Sequence, residues 1–256
     1  MTTIDQLVSV TARHNEIVKR LGNGSLDPDA VLDAYQRIIE GRFDEPSLIH
    51  GMFVSPEAQI ANMRGWNLEH GLGYIDAYFV EAEEAARQLT WPEDRLVVHV
   101  LVPYAETVDA TLETLWTIAS GLQPNNWRWD GMKSGPENLR LLDGIEHKPG
   151  LRWEAIDLGA NWDPKDGIRP MDVRGPNSAH AGILAAAAHF PKWVQAMDGE
   201  KVPYVWLPGY QVNVAGEAPW RYVPYLGWDS VLRKVNLNAY WKDDRHYTWA
   251  CPVVRE

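Results

Sequence analysis

The sequence predicts an α+β protein in which helices occupy the first half of the chain and strands most of the second. Amphipathic segments with helical spacing extend from residue 3 to residue 121, interrupted by one short apolar run. From residue 123 onward, short β-rich segments, tight turns and interleaved tryptophans replace them. Helices that precede strands, instead of alternating with them, favour an α+β fold with a mixed or antiparallel sheet over a doubly wound parallel sheet.

The first two helices are predicted within residues 3–41, where apolar residues recur at intervals of three and four. Asp27-Pro28 begins the second helix, because aspartate is a good N-cap and proline suits the first helical position. A helical hairpin of this size cannot bury both of its faces alone. We therefore interpret residues 1–41 as a docking arm, for the main domain or for a second copy of the chain, and residues 42–256 as the main α+β domain.

The end of the predicted hairpin resembles the opening segment of a group of uncharacterised bacterial proteins. The resemblance covers about the first sixth of the chain and rests on the segment Ile38-Ile39-Glu40-Gly41-Arg42-Phe43. Those proteins have no known function to carry over. The resemblance therefore implies the hairpin alone, and no activity, cofactor or site residue.

Three more helices and one buried strand are predicted before the chain changes character. Ser55-Pro56 opens the first of these helices, with serine as N-cap and proline as the first helical residue. The other two are predicted over residues 78–89 and 106–121 from their apolar spacing. The strand is the apolar, β-branched run within residues 95–104.

The second half contains one predicted helix among several strands. The helix covers residues 178–197, with a break expected at Pro191 because proline cannot continue the backbone hydrogen bonds of a helix. Strands are predicted over residues 205–214, 232–240 and 247–254.

Charge and composition exclude several classes of function. The formal net charge is -11, from 35 acidic and 24 basic residues, and the basic residues are scattered along the chain. This balance disfavours binding to nucleic acids and to anionic membrane surfaces. No segment has the length and composition of a membrane span or a secretory signal, so we expect a cytoplasmic protein. The remaining partners are a small molecule, another protein, or a second copy joined through the hairpin.

Common catalytic and metal-binding signatures are missing from the sequence. There is no glycine-rich phosphate loop and no serine nucleophile elbow. The single cysteine, Cys251, cannot form an intramolecular disulfide and is predicted to be a buried, inert thiol. His180 and His189 would lie on opposite faces of the predicted helix. Since no histidine pair has the spacing of metal ligands, we expect no bound metal and no cofactor.

Three residues remain as candidates for acid–base chemistry. Glu154 lies in a predicted strand beside Trp153, and an inward carboxylate next to an aromatic ring would have a perturbed pKa. Asp130 is the alternative acid or base, and His180 would assist either of them. The alternative, that Glu154 lies on the surface, stays open at this point.

The most unusual feature of the composition is its 13 tryptophans. In an extended segment Trp127 and Trp129 would share one face, with Arg128 on the other, and two parallel indoles can stack on a flat ligand or a sugar ring. The alternative is that these indoles fill the core between short strands. Trp153 and Trp162, which also stand beside polar or turn residues, complete the candidate ligand-binding set.

Three classes of function therefore stay open. The first is a ligand- or partner-binding protein whose recognition surface lies in the aromatic-rich C-terminal half. The second is an acid–base hydrolase that acts on a neutral substrate, and the third is a structural subunit of a homo-oligomeric assembly. An exposed aromatic shelf would favour the binding protein, carboxylates facing each other across a deep pocket would favour the enzyme, and flat apolar patches would favour the assembly.

Overall fold

The computed structural model describes residues 14, 17–22, 31–32, 52–89, 96–133 and 135–255. The chain divides into two compact units, Met1–Ser47 and Leu48–Glu256. In the first unit the described residues are helical. The rest of the hairpin predicted over residues 3–41, including the packing of its two helices, lies outside the described residues.

The described part of the second unit contains six helices. Their bounds are α1 (Pro56–Glu69), α2 (Asp76–Ala86), α3 (Val108–Gly121), α4 (Pro170–Val173), α5 (Ala181–His189) and α6 (Pro191–Gln195). The predicted start of α1 is confirmed, because the Ser55 hydroxyl accepts a hydrogen bond from the amide of Ala58. The predicted break at Pro191 is also confirmed, since the non-helical Phe190 separates α5 from α6. None of the described helices has both the length and the apolar composition needed to cross a lipid bilayer.

Ten strands form two sheets within the described residues, which confirms the α+β class. Their bounds are β1 (Val97–Tyr104), β2 (Asn125–Arg128), β3 (Leu139–Leu141), β4 (Gly150–Asp157), β5 (Tyr204–Trp206), β6 (Tyr210–Val212), β7 (Tyr222–Asp229), β8 (Lys234–Trp241), β9 (Trp249–Ala250) and β10 (Val253–Arg255).

The two sheets differ in the direction of their strands. The three-stranded sheet has the order β1-β4-β10 and is antiparallel. The seven-stranded sheet follows the path β2-β8-β7-β5-β9, with β6 beside β7 and β3 beside β6. It is mixed, because β2 runs parallel to β8 and β5 runs parallel to β9. The C-terminal segment joins the two sheets, since β9 lies in the larger one and β10 in the smaller.

Two predicted strands are each divided in two. Residues 205–214 form β5 and β6, because a turn at Pro208 interrupts the strand. Residues 247–254 contain β9 and β10, separated at Pro252. Proline has no amide hydrogen to donate to a neighbouring strand, which explains why both interruptions contain one.

Helix α5 forms the centre of the core. All nine of its residues are buried, and six of them are alanine or glycine. Such a helix has no polar face, so it is stable only where it is surrounded on every side. It packs against α3, β1 and β4, and its small side chains allow these elements to approach closely. At Gly182 a Cβ atom would lie 2.3 Å from Cδ1 of Ile156 on β4, so a larger residue there would require the buried Ile156 side chain to move.

One edge of β1 pairs with β4. At its other edge, two side chains form hydrogen bonds with backbone groups of the strand. The buried Gln59 amide donates from Nε2 to the carbonyl of His99 at 2.8 Å and accepts at Oε1 from the amide of Leu101 at 3.0 Å. His189 Nε2 donates to the carbonyl of Leu101 at 3.0 Å. These side chains replace the missing neighbour strand, because buried backbone groups need hydrogen-bond partners.

We predict that Gln59→Ala lowers the free energy of unfolding by about 1–3 kcal/mol, because it leaves two buried backbone groups of β1 unpaired. Urea denaturation followed by circular dichroism measures the change. The matched control is Gln88→Ala, at an exposed glutamine, which should leave stability within about 0.5 kcal/mol of the parent. Equal stability of the two variants would contradict this role for Gln59.

Candidate functional site

A buried polar cluster lies between the end of β1, the middle of β4 and the residue that precedes α5. It consists of Tyr104, Glu154 and His180, all three of them buried, and we call it the Tyr–Glu–His cluster. Tyr104 is the last residue of β1, Glu154 is on β4, and His180 is the N-cap residue of α5. The cluster therefore joins three elements of the core.

Tyr104 is the centre of the cluster. Its hydroxyl donates to Oε1 of Glu154 at 2.5 Å and lies 3.3 Å from Nε2 of His180. The guanidinium of Arg152 covers the Tyr104 ring at 3.8 Å from the centroid, and its Nε lies 3.4 Å from the same Glu154 oxygen. The ring of Tyr210 packs edge-on against His180, with centroids 5.6 Å apart. A cation and two phenols thus surround one carboxyl group and one imidazole.

Burial shifts the titration of each member towards its neutral form. Removal from water raises the pKa of Glu154, while the bonds from Tyr104 and Arg152 act in the opposite direction. Burial, with the positive charge of Arg152 nearby, lowers the pKa of His180 to about 4. Burial and the neighbouring Glu154 raise the pKa of Tyr104, so its hydroxyl keeps its proton. His180 is therefore a neutral base at physiological pH.

Two atoms of the cluster have no hydrogen-bond partner in the described part of the structure, Oε2 of Glu154 and Nδ1 of His180. Because the Tyr104 hydroxyl donates a hydrogen bond to Glu154, its oxygen can accept one from Nε2 of His180. The backbone of Ser178 also interacts with this imidazole and acts to raise its pKa, against the effect of burial. Gly182 makes room for the carboxyl group, since a Cβ there would lie 2.7 Å from Oε2. An unpaired carboxyl oxygen near a neutral imidazole is an arrangement suited to acid–base chemistry.

The structure brings two of the three acid–base candidates together. Glu154 and His180 share Tyr104 as a neighbour, whereas Asp130 is exposed in the turn after β2 and is not part of the cluster. Sequence reasoning missed Tyr104 and Arg152. Two signals were available: a tyrosine that ends an otherwise apolar strand, and an arginine two residues before Glu154, hence on the same face of β4.

An open depression of about 380 Å³ lies over the β2 edge of the larger sheet. We call it the aromatic shelf, and the side chains that form it are Trp127, Trp129, Tyr222, Asn238, Tyr240 and Trp241. The parallel pairing of β2 with β8 brings the first two of these residues beside the last three. The antiparallel pairing of β7 with β8 places Tyr222 directly opposite Trp241.

The shelf combines a half-buried floor with exposed walls. Trp129 and Tyr222 are half-buried, with ring centroids 5.7 Å apart. Trp127, Tyr240 and Trp241 stay 40%, 44% and 38% exposed. Large aromatic side chains that remain this exposed on one concave surface are typical of recognition sites.

Two cations stand at the rim of the shelf. The Lys234 ammonium lies 5.7 Å from the centroid of the Trp127 ring, and the Arg221 guanidinium lies 4.7 Å from that of Trp241. Arg221 also pairs with Asp243 at 3.0 Å. Cation–π contacts of this kind stabilise the positions of the two rings.

Trp153 and Trp162, the other two ligand-binding candidates, do not line the shelf. The Trp153 indole donates to the carbonyl of Ala82 on α2 at 2.9 Å, and the Trp162 indole donates to the carbonyl of Tyr247 at 3.1 Å. Both rings pack against the main core. For Trp153 and Trp162, the structure therefore favours core packing over ligand binding.

Neither the single cysteine nor a metal site provides a further candidate functional residue in the described part of the chain. Cys251 is buried, and burial raises the pKa of its thiol to about 12, which suits the predicted inert role. Among the residues that the structure describes, no group of three or more histidine, cysteine, aspartate or glutamate side chains is arranged to hold a metal ion.

The depressed pKa of His180 predicts a pH-dependent stability. Between its ordinary value of 6.5 and about 4, the unfolded chain binds more protons than the folded one, so the free energy of unfolding should fall as the pH is lowered through this window. We predict that His180→Gln reduces this slope by up to about 1.4 kcal/mol per pH unit. Urea denaturation at several pH values between 7 and 4 measures it.

The slope should decrease without vanishing, because His189 is buried in the same way. His70→Gln, at an exposed histidine, is the matched control and should keep the parent's slope. A His180→Gln variant whose stability changes with pH as the parent's does would show that folding leaves the pKa of His180 unchanged.

No family model, no curated protein and no solved structure matches this chain.

Proposed function

We propose that the protein binds a carbohydrate on the aromatic shelf. The observation that carries the proposal is the exposure of Trp127, Tyr240 and Trp241, which stay between 38% and 44% exposed around one depression. By contrast, Trp206 and Trp228, on neighbouring strands of the same sheet, are buried. An aromatic side chain left in water loses the hydrophobic stabilisation that burial would give it. Three such side chains around one depression therefore indicate a surface that binds a partner.

A sugar ring fits the chemistry of the shelf. One face of a pyranose presents C–H groups and packs flat on an indole, while its hydroxyl groups point outward and need donors and acceptors. The walls supply rigid aromatic plates, which lose little conformational entropy on binding. The cations Lys234 and Arg221 at the rim can bind the hydroxyl oxygens. The volume of about 380 Å³ lies at the lower end of the range for small-molecule sites.

Binding, and not cleavage, is the function that this surface supports. The described residues that line the depression include no aspartate, glutamate or histidine, and hydrolysis of a glycosidic bond uses a pair of carboxyl groups on either side of it. The ligand is expected to be neutral, because the chain carries a net charge of -11 and would repel a polyanionic sugar.

The test is a binding screen against neutral oligosaccharides of several linkage types, followed by calorimetry on each hit. We predict that Trp127→Ala and Trp241→Ala each weaken binding roughly 5- to 150-fold, taking the about 1–3 kcal/mol measured for bases stacked on aromatic side chains as the scale. Trp162→Ala is the matched control, because its indole lies outside the shelf, and should bind as the parent does.

Stability of the same variants separates recognition from packing. Removing an indole from the shelf should cost much less than the about 3–5 kcal/mol typical of a core tryptophan. The proposal fails if the parent protein binds none of the oligosaccharides. It also fails if an oligosaccharide binds to both shelf variants as tightly as to the parent.

The Tyr–Glu–His cluster supports a second candidate function, acid–base catalysis on a neutral substrate. The observation in its favour is the pair of unpartnered atoms, Oε2 of Glu154 and Nδ1 of His180. Access would require Arg152 to swing aside, and its side chain, 36% exposed, lies between the cluster and solvent. A neutral substrate fits because neither side chain would then need to balance a further buried charge.

The catalytic candidate is tested with chromogenic neutral esters and glycosides. We expect Glu154→Gln to lower any turnover by about 10²–10⁴-fold, the contribution of a general acid or base. The control Glu106→Gln, at an exposed glutamate, should retain full activity. Turnover that survives in Glu154→Gln would exclude the cluster as its source.

A further inference from the structure

A second cavity, of about 310 Å³, lies at the other end of α5 from the Tyr–Glu–His cluster. Its wall is largely apolar, with Met52, Val54, Trp66 and Leu122, and it also includes the polar side chains of Asn62, His189 and Lys192. We call it the His189 pocket. Among the described residues it shares none with the aromatic shelf, so the proposal for this pocket does not depend on whether the shelf holds a carbohydrate.

His189, which lines the pocket and is 1% exposed, has a buried hydrogen-bond acceptor. Its Nε2 lies 3.0 Å from the carbonyl oxygen of Leu101, and a carbonyl oxygen can only accept, so Nε2 carries a proton. Complete burial lowers the pKa of His189 to about 3, which keeps the imidazole neutral. The other nitrogen, Nδ1, is therefore a bare lone pair, and it has no partner in the described part of the structure.

The surroundings of His189 make this lone pair costly in the free protein. The Trp66 ring lies 4.6 Å from the imidazole centroid, and Met52, Val54 and Leu122 provide aliphatic surface. A buried acceptor without a partner costs about 1–3 kcal/mol. A molecule that fills the pocket and donates one hydrogen bond would recover that cost and bury apolar surface at the same time.

We propose that the His189 pocket binds a small neutral molecule with an apolar body and a single hydroxyl group, of the phenol type, which donates its proton to Nδ1 of His189. The pocket volume lies at the lower end of the range for small-ligand sites, which suits one aromatic ring with small substituents. A neutral hydroxyl is favoured over its anion, because it has to keep its proton in order to donate to Nδ1. A cationic ligand is disfavoured, because Lys192 lines the same pocket.

The probes are p-cresol and p-xylene, which have nearly the same shape and differ by a hydroxyl in place of a methyl group. Binding to the full chain is measured by calorimetry and by the quenching of tryptophan fluorescence. We expect p-cresol to bind about tenfold more tightly than p-xylene or better, the equivalent of one hydrogen bond to a buried acceptor. Equal affinity, or no binding of either, overturns the proposal and leaves water as the partner of Nδ1.

A direct readout comes from protein labelled with ¹⁵N-histidine. The Nδ1 resonance of His189 should move on addition of p-cresol and stay in place with p-xylene, because only the former donates to that atom. A p-cresol complex in which this resonance does not move would place the ligand elsewhere.

Two variants complete the test. In His189→Met the acceptor is lost and the apolar wall is kept, so the preference for p-cresol over p-xylene should disappear. If that variant does not fold, Leu122→Trp serves instead: Leu122 lines the pocket and is partly exposed, so a larger side chain there should block both probes. Trp127→Ala, on the shelf, is the matched control and should bind both probes as the parent does; a loss of binding there would contradict the assignment to this pocket.

Discussion

The absence of a polar face on α5 is the constraint on which the rest of the core depends. A helix that is apolar on every side has to be enclosed, and here α3, β1 and β4 enclose it. Its alanines and glycine allow the neighbouring backbones to come close. The same closeness leaves space for the carboxyl group of Glu154 beside Gly182. A substitution that adds volume to this helix therefore disturbs the core and the Tyr–Glu–His cluster together.

Enclosing α5 also removes from water the histidine that precedes it and the histidine that ends it. His180 and His189 both remain neutral for this reason, since burial lowers the pKa of each. Each uses Nε2 towards a neighbour on β1 and is left with an unpartnered Nδ1. Most buried polar groups in folded proteins are paired. The two Nδ1 atoms are among eight buried side-chain atoms without a hydrogen-bond partner in the described part of the chain, and their position at the two ends of one helix is what makes them candidate binding groups.

Local signals in the sequence predicted several of the elements, whereas long-range pairing determined which residues meet at the sites. Neither the short helix α4 nor the short strand β3 was predicted. The Ser55 cap and the break at Pro191 depend only on neighbouring residues, and both were predicted correctly. Glu154 was singled out from its strand, but its bond to Tyr104 depends on the register of β1 against β4, across 50 residues of chain. Trp241 likewise joins Trp127 only because β2 pairs in parallel with β8. No residue near either site encodes these pairings, so they could not be derived from local periodicity.

The shelf and the interior sites draw on different sources of free energy. On the shelf, the exposed aromatic rings lack part of the stabilisation that burial would give, while the rings beneath them pack in the core. Substitution of the exposed rings should therefore affect ligand binding more than folding. Inside, the Tyr–Glu–His cluster and the His189 pocket hold unpaired polar atoms in a low-dielectric environment, which destabilises the free protein and makes a matching donor bind more favourably. Any ligand that binds the folded chain raises its stability, by an amount that grows with the logarithm of the ligand concentration divided by Kd. The two kinds of site therefore differ in what their substitution does to the free protein, and not in whether a ligand stabilises it.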